Sequence, residues 1–199
     1  MRPETGSNLI SANKKVSIQV KLGGRSFSTH GIEIADNIER IEVVIDTPRV
    51  ALAPRENISL DTAAELLRIV GKPCRSNEQS VCSEFQTDIV AAIAIDGSAL
   101  ASIVERWGSR VTFISPLLDM RHSEEKCLTI DASEDVCYMR HFNNGLQRAE
   151  AFAISTAEDV LYLVTEWLQQ EKKATPIYIK GEKATAKLLR KYFKQVICE

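Results

Sequence analysis

Apolar and polar positions alternate from Lys15 to Leu22, placing Val16, Ile18, Val20 and Leu22 on one face of an extended chain. Gly23-Gly24 supplies the two residues of a tight hairpin, and Arg25–Ile34 reads as the returning strand. A third extended piece covers Glu39–Ile45 and extends past Pro48 through Val50–Ala53. Ser59–Val70 then changes to helical spacing through Leu66, Leu67 and Val70, and Gly71 and Pro73 stop it. The polar connector Lys72–Asp88 has room for a short strand near Val81–Phe85. Ile89–Ile95 is continuously apolar, the pattern of a strand covered on both faces. The helix Ser98–Trp107 carries Leu100, Ile103, Val104 and Trp107 on one face and ends at Gly108. Val111–Ile114 is a further strand, and Pro116 opens a short helical turn.

The second part of the chain repeats this order without repeating the letters. Strands are expected at Lys126–Asp131, Val136–Phe142 and Leu146–Ile154, the last two joined by the hairpin dipeptide Asn144-Gly145. Ser155, with Glu158 three residues on, predicts a capping box for a helix that buries Ala157, Val160, Leu161, Val164, Trp167 and Leu168. A strand at Pro176–Ile179, a helix at Glu182–Phe193 and a closing strand at Gln195–Cys198 complete the pattern. Each half therefore reads as an antiparallel meander followed by alternating helix and strand. That order predicts a mixed α/β fold, with a helix-lined cleft between the halves. The expected division is a flexible 1–14, a first half over 15–122 and a second half over 123–199.

Composition narrows the class. With 199 residues, 44% of them hydrophobic and 26% charged, the chain has material for a substantial core. A net charge of −2 provides no strong field for steering to nucleic acid. The longest apolar run, Ile89–Ile95, is seven residues, too short to span a bilayer. Met1–Lys14 is polar, without the apolar stretch of a secretion signal. Five scattered cysteines (Cys74, Cys82, Cys127, Cys137, Cys198) with no C-x-x-C spacing argue against a disulfide scaffold and a zinc finger. Free thiols in apolar strands suit a reducing cytoplasm.

Certain stretches carry a family resemblance. Val16-Ser17-Ile18-Gln19-Val20-Lys21-Leu22-Gly23-Gly24-Arg25-Ser26-Phe27-Ser28 forms one such stretch. Others are Ala151-Phe152, Thr156-Ala157-Glu158-Asp159-Val160-Leu161-Tyr162, Lys180-Gly181-Glu182 and Leu189-Arg190-Lys191-Tyr192-Phe193. In these the chain resembles an uncharacterised Bacteroidetes-type bacterial family whose known structures have an actin-like ATPase, ribonuclease H-like fold. The resemblance implies two duplicated halves. It implies no established activity.

In actin-like ATPases two hairpins hold the phosphates, and a third, glycine-rich loop lies near the adenine. Carried over, the resemblance makes Gly23, Gly24, Ser26, Asp131 and Gly181 the candidate residues for ATP with Mg²⁺. Convergent amides need side-chain-free positions, and Mg²⁺ needs carboxylates near the hairpins. The first hairpin has glycines, but Gln19 and Lys21 stand where an aspartate is wanted. The second, Asp131-Ala132-Ser133-Glu134-Asp135, has a carboxylate, no glycine and two further acids that would repel phosphate. Lys180-Gly181-Glu182 keeps one glycine, which also suits a strand-to-helix junction. Two of the three elements are degraded.

Other chemistries find less support. A ribonuclease H-type nuclease needs clustered carboxylates on central strands, and Val16–Leu22 has none. P-loop, H-E-x-x-H and G-x-S-x-G patterns are absent from the sequence. His30, His122 and His141 are far apart, although strand pairing could bring His141 near Asp131 or Cys137. Lys172–Lys194 holds eight bases against one acid, Glu182. This is a solvated helix face or a docking patch for an acidic protein partner, a second copy included. The sequence thus favours a non-catalytic cytoplasmic scaffold of actin-like fold, with an ATP-binding protein of weak or no hydrolysis as the alternative.

Overall fold

The computed structural model describes residues 15–21, 34–35, 38–83, 88–169 and 175–199. Three sheets carry the architecture. The first is parallel: β1 (Lys15–Lys21) and β6 (Val111–Ile114) flank β2 (Arg40–Asp46). In the second, β3 (Val50–Pro54) and β4 (Glu78–Cys82) pair antiparallel on either side of β5 (Ile89–Asp96). The third has five strands in the order β11-β10-β7-β8-β9. Here β7 (Lys126–Ala132), β8 (Val136–Asn143) and β9 (Leu146–Ala153) form an antiparallel meander. β10 (Ile177–Lys180) and β11 (Val196–Cys198) extend it in parallel.

Among the described residues, four α-helices connect the strands: α1 (Ala63–Ile69), α2 (Gly97–Trp107), α3 (Ala157–Trp167) and α4 (Lys183–Leu189). Among the described residues no helix is long and apolar enough to cross a membrane.

Side-chain alternation distributes the strands between three hydrophobic clusters. In β5, Ala91, Ile93 and Ile95 face a cluster shared with β2 and α2. Val90, Ala92 and Ala94 face another with α1. In β8, Val136 and Tyr138 join the first of these clusters, while Cys137 and Met139 pack among α3 and α4 residues on the opposite face. Strands covered on both faces can be apolar throughout, which is why Ile89–Ile95 reads as it does.

Several expectations need correction. The first strands do not form a meander among the described residues: β1 runs parallel to β2, whose doubly buried pattern is that of a central parallel strand. The expected hairpin at Gly23-Gly24 and most of its return strand lie outside the described residues. Val50–Ala53 does not continue β2 but starts a different sheet, since Pro48 lacks the N–H that a continuing ladder needs. The connector strand begins earlier, at Glu78. α1 begins at Ala63 because Ser59 and Thr62 bond each other in a preceding turn. Val104 is 49% exposed and lies off the buried face of α2, which is made by Ala99, Ile103 and Trp107. The capping box of α3 is one residue later than expected: Thr156 caps Asp159, whose carboxylate accepts from the Ser155 and Thr156 amides. α4 ends at Leu189, short of Phe193.

Candidate functional site

The carboxyl ends of parallel strand pairs are where open α/β sheets place their clefts. Here β2 and β6 end together, with Val44 opposite Ile114, and β7 and β10 end together, with Asp131 opposite Lys180. Between these ends lies a cleft of about 640 Å³. Its walls are strand ends and turns, including the 3-10 turn Pro116–Leu118, so the expected helix lining is not what forms it.

Of the candidate residues, Asp131 and Gly181 line this cleft. Gly23, Gly24 and Ser26 lie outside the described residues. From the first sheet the cleft receives Ser17, Val44 and Asp46, so the carboxylate missing from Val16–Leu22 comes from the next strand. Sequence reasoning passed over Asp46, although an acid ending the apolar run Ile41–Ile45 before Thr47-Pro48 was a usable signal.

The carboxylates of the cleft and its tyrosine are bonded within the protein. Asp46 is 5% exposed and Tyr138 2% exposed. The Tyr138 hydroxyl donates to Asp46 Oδ1 at 2.9 Å and accepts from the Thr47 amide at 2.7 Å. Burial, followed by the neighbouring Asp46 charge, pushes the Tyr138 phenol far above its usual range, so it stays a donor. Pro48 has no N–H, and the Arg49 amide donates to Thr47 Oγ1 at 3.2 Å. This turn has no amides to turn on a phosphate.

Asp131 is similarly held. Arg140, 2% exposed, reaches Asp131 Oδ2 through Nη2 at 2.5 Å and Thr129 Oγ1 through Nε at 2.8 Å. Its Nη1 donates to the Pro116 carbonyl. Register explains the grip, because Arg140 sits directly opposite Thr129 across the β7–β8 ladder. Asp119, also in the wall, is bound by Arg121 at 2.6 Å. Burial pushes the Asp119 carboxyl up, yet hydrogen bonds from Arg121 and the charge of Arg140 outweigh it and hold it low.

In the β7–β8 turn, the Ser133 amide donates to the Val136 carbonyl at 2.8 Å, and Glu134 and Asp135 face solvent. Gly181 has φ 152°, and a Cβ there would stand 2.6 Å from the Ala132 carbonyl oxygen. The close approach of β10 to this turn accounts for the glycine. Among the described residues the cleft is thus largely bonded to itself. Its carboxylates and the Thr47–Arg49 amides already have partners. His141 does not approach Asp131; it pairs with Leu128 and Arg148, and its Nε2 is buried without a hydrogen-bond partner.

Tyr138→Phe should leave the Asp46 carboxylate and the Thr47 amide unsatisfied. We expect a loss of about 2 kcal/mol in urea unfolding; an unchanged midpoint would mean that the hydroxyl is dispensable.

No protein-family model matches the chain, and no curated protein matches it. Among solved structures it is similar to a Bacteroides thetaiotaomicron protein with actin-like ATPase fold and unknown function. That likeness has 20% identity and TM-score 0.66, and covers 83% of this chain and 72% of that one. More distant likenesses, each at 12% identity, are to a PilM–PilN type IV pilus biogenesis complex and to an AlfA filament bound to AMPPNP. The former has TM-score 0.44 over 81% of this chain and 69% of that one. The latter has TM-score 0.39 over 80% of this chain and 51% of that one. The likeness to the Bacteroides protein and the mixed α/β topology together give this chain an actin-like ATPase fold.

Proposed function

We propose that the chain is a non-catalytic cytoplasmic scaffold or interaction module, built of two ribonuclease H-like halves over 15–122 and 123–199. The observation that carries this reading is the internal bonding of the cleft: Tyr138 caps Asp46, and Arg140 neutralises Asp131. In a hydrolase those carboxylates would face Mg²⁺ and water. The order β11-β10-β7-β8-β9 supports the second half as a unit. The partner we propose is an acidic protein surface. Lys183, Lys187, Lys191 and Lys194 are exposed on α4 and the turn after it, while Thr185, Ala186, Leu189 and Phe193 hold that segment to the sheet. Lys172 and Lys173 lie outside the described residues.

Calorimetric titration with ATP and Mg²⁺, run alongside thermal unfolding, tests the proposal. No heat of binding and no thermal shift are expected at millimolar nucleotide. Submillimolar binding that Gly24→Glu abolishes would overturn it in favour of an ATP-binding protein using Gly23, Gly24, Ser26, Asp131 and Gly181.

A further inference from the structure

A second polar cluster forms where His122 meets Tyr178 of β10 and Glu199, next after β11. His122, Glu125 and Cys127 each present one donor atom there, all within 4.8 Å of one another. The spacing H-x-x-E-x-C brings imidazole, carboxylate and thiol together across a turn and the first residues of β7. We propose that His122 Nδ1, a Glu125 carboxylate oxygen and Cys127 Sγ form a zinc-binding site, with solvent as the fourth ligand.

The surroundings orient these atoms as metal ligands need. His122 Nε2 lies 2.7 Å from Glu199 Oε1; in the metal-bound form Nε2–H donates a hydrogen bond to that carboxylate, leaving the Nδ1 lone pair for the ion. Glu199 is in turn fixed by Arg121 Nη2 at 3.3 Å and by its own amide, which donates to the Ile179 carbonyl at 3.0 Å. The Tyr178 ring stacks on His122 with centroids 4.1 Å apart, and its hydroxyl hydrogen-bonds Glu125. Two ligands are therefore held by one tyrosine.

Nδ1 and Glu125 Oε1 face each other at 2.9 Å, across a gap that an imidazole proton or a cation can fill. The thiol decides which cation. A nitrogen, sulfur and oxygen set suits Zn²⁺ and is too soft for Mg²⁺ or Ca²⁺. Cys127 is fully buried and Glu125 is 46% exposed, which gives the ion a fixed inner ligand and a solvent-side entrance. Binding displaces the Cys127 thiol proton to solvent and leaves the thiolate on the metal.

Competition with a chromophoric chelator should give one zinc per chain, with a rise in unfolding temperature. Cys127→Ser and His122→Ala should each weaken binding by about a hundredfold, and Glu125→Gln and Glu199→Gln by about tenfold. Cys198→Ser should bind as the parent does. Cobalt added to the unmodified chain reads the site without any variant. A thiolate-to-cobalt charge-transfer band at neutral pH shows the metal in the place of the Cys127 thiol proton. A cobalt complex lacking that band overturns the proposal. So does zinc binding that is absent, that survives both Cys127→Ser and Glu125→Gln, or that is lost in Cys198→Ser.

Discussion

Arg140→Met is expected to destabilise the protein by about 3–5 kcal/mol, because it leaves Asp131 charged, mostly buried and unpaired. The guanidinium is 2% exposed and its carboxylate partner 17%, so solvent replaces little of what is lost. The same side chain also satisfies Thr129 Oγ1 and the Pro116 carbonyl, joining β7, β8 and the 3-10 turn at one point. Pairing Arg140→Met with Asp131→Leu should recover most of the loss, since apolar groups of similar volume replace buried ion pairs at little cost. Urea unfolding of both variants is the measurement. A single-variant loss below about 1 kcal/mol, the range of exposed pairs, would show that Arg140 is solvated and the cleft wall is not held by it.

Gly181→Ala is the second large effect, about 3 kcal/mol by thermal unfolding, with strain and overpacking both contributing. The added methyl would stand 2.6 Å from the Ala132 carbonyl oxygen, on a residue with φ 152°. Gly145 is the internal control. Its φ is 121° but a Cβ there meets nothing within 4 Å, so Gly145→Ala should lose only about 1 kcal/mol of backbone preference. Equal losses at the two positions would remove the Ala132 contact as the reason for glycine. A glycine kept for phosphate would instead leave stability intact and change only nucleotide affinity.

Much of the fold was legible from period and punctuation. Asn144-Gly145 marks its hairpin with φ 50° and 121°, Gly108 ends α2, and Ile89–Ile95 is the strand its composition predicts. Those signals are local, and local chemistry decides them. Pairing was less legible. Whether β1 joins its neighbour parallel or antiparallel depends on which strand covers its edge, and nothing in Val16–Leu22 encodes that. The cleft was partly legible: Asp131 and Gly181 line it, but Asp46 comes from β2 and Tyr138 and Arg140 from β8, and pairing and packing alone bring them to it. Their types gave a weak hint, since Tyr138 and Arg140 are polar tips inside a strand otherwise bound for the interior. His122 and Cys127 looked isolated because the turn that brings them together has no hydrophobic period to announce it.

The alternation along β8 has a mechanical result. Val136 and Tyr138 are embedded with residues 41–117, while Cys137 and Met139 are embedded with α3 and α4. One strand is thus riveted into both bodies of apolar material. Jaw-like rocking, the motion by which a clamp grips and releases cargo, would have to tear that strand from one side. A molecule so fastened resists that motion.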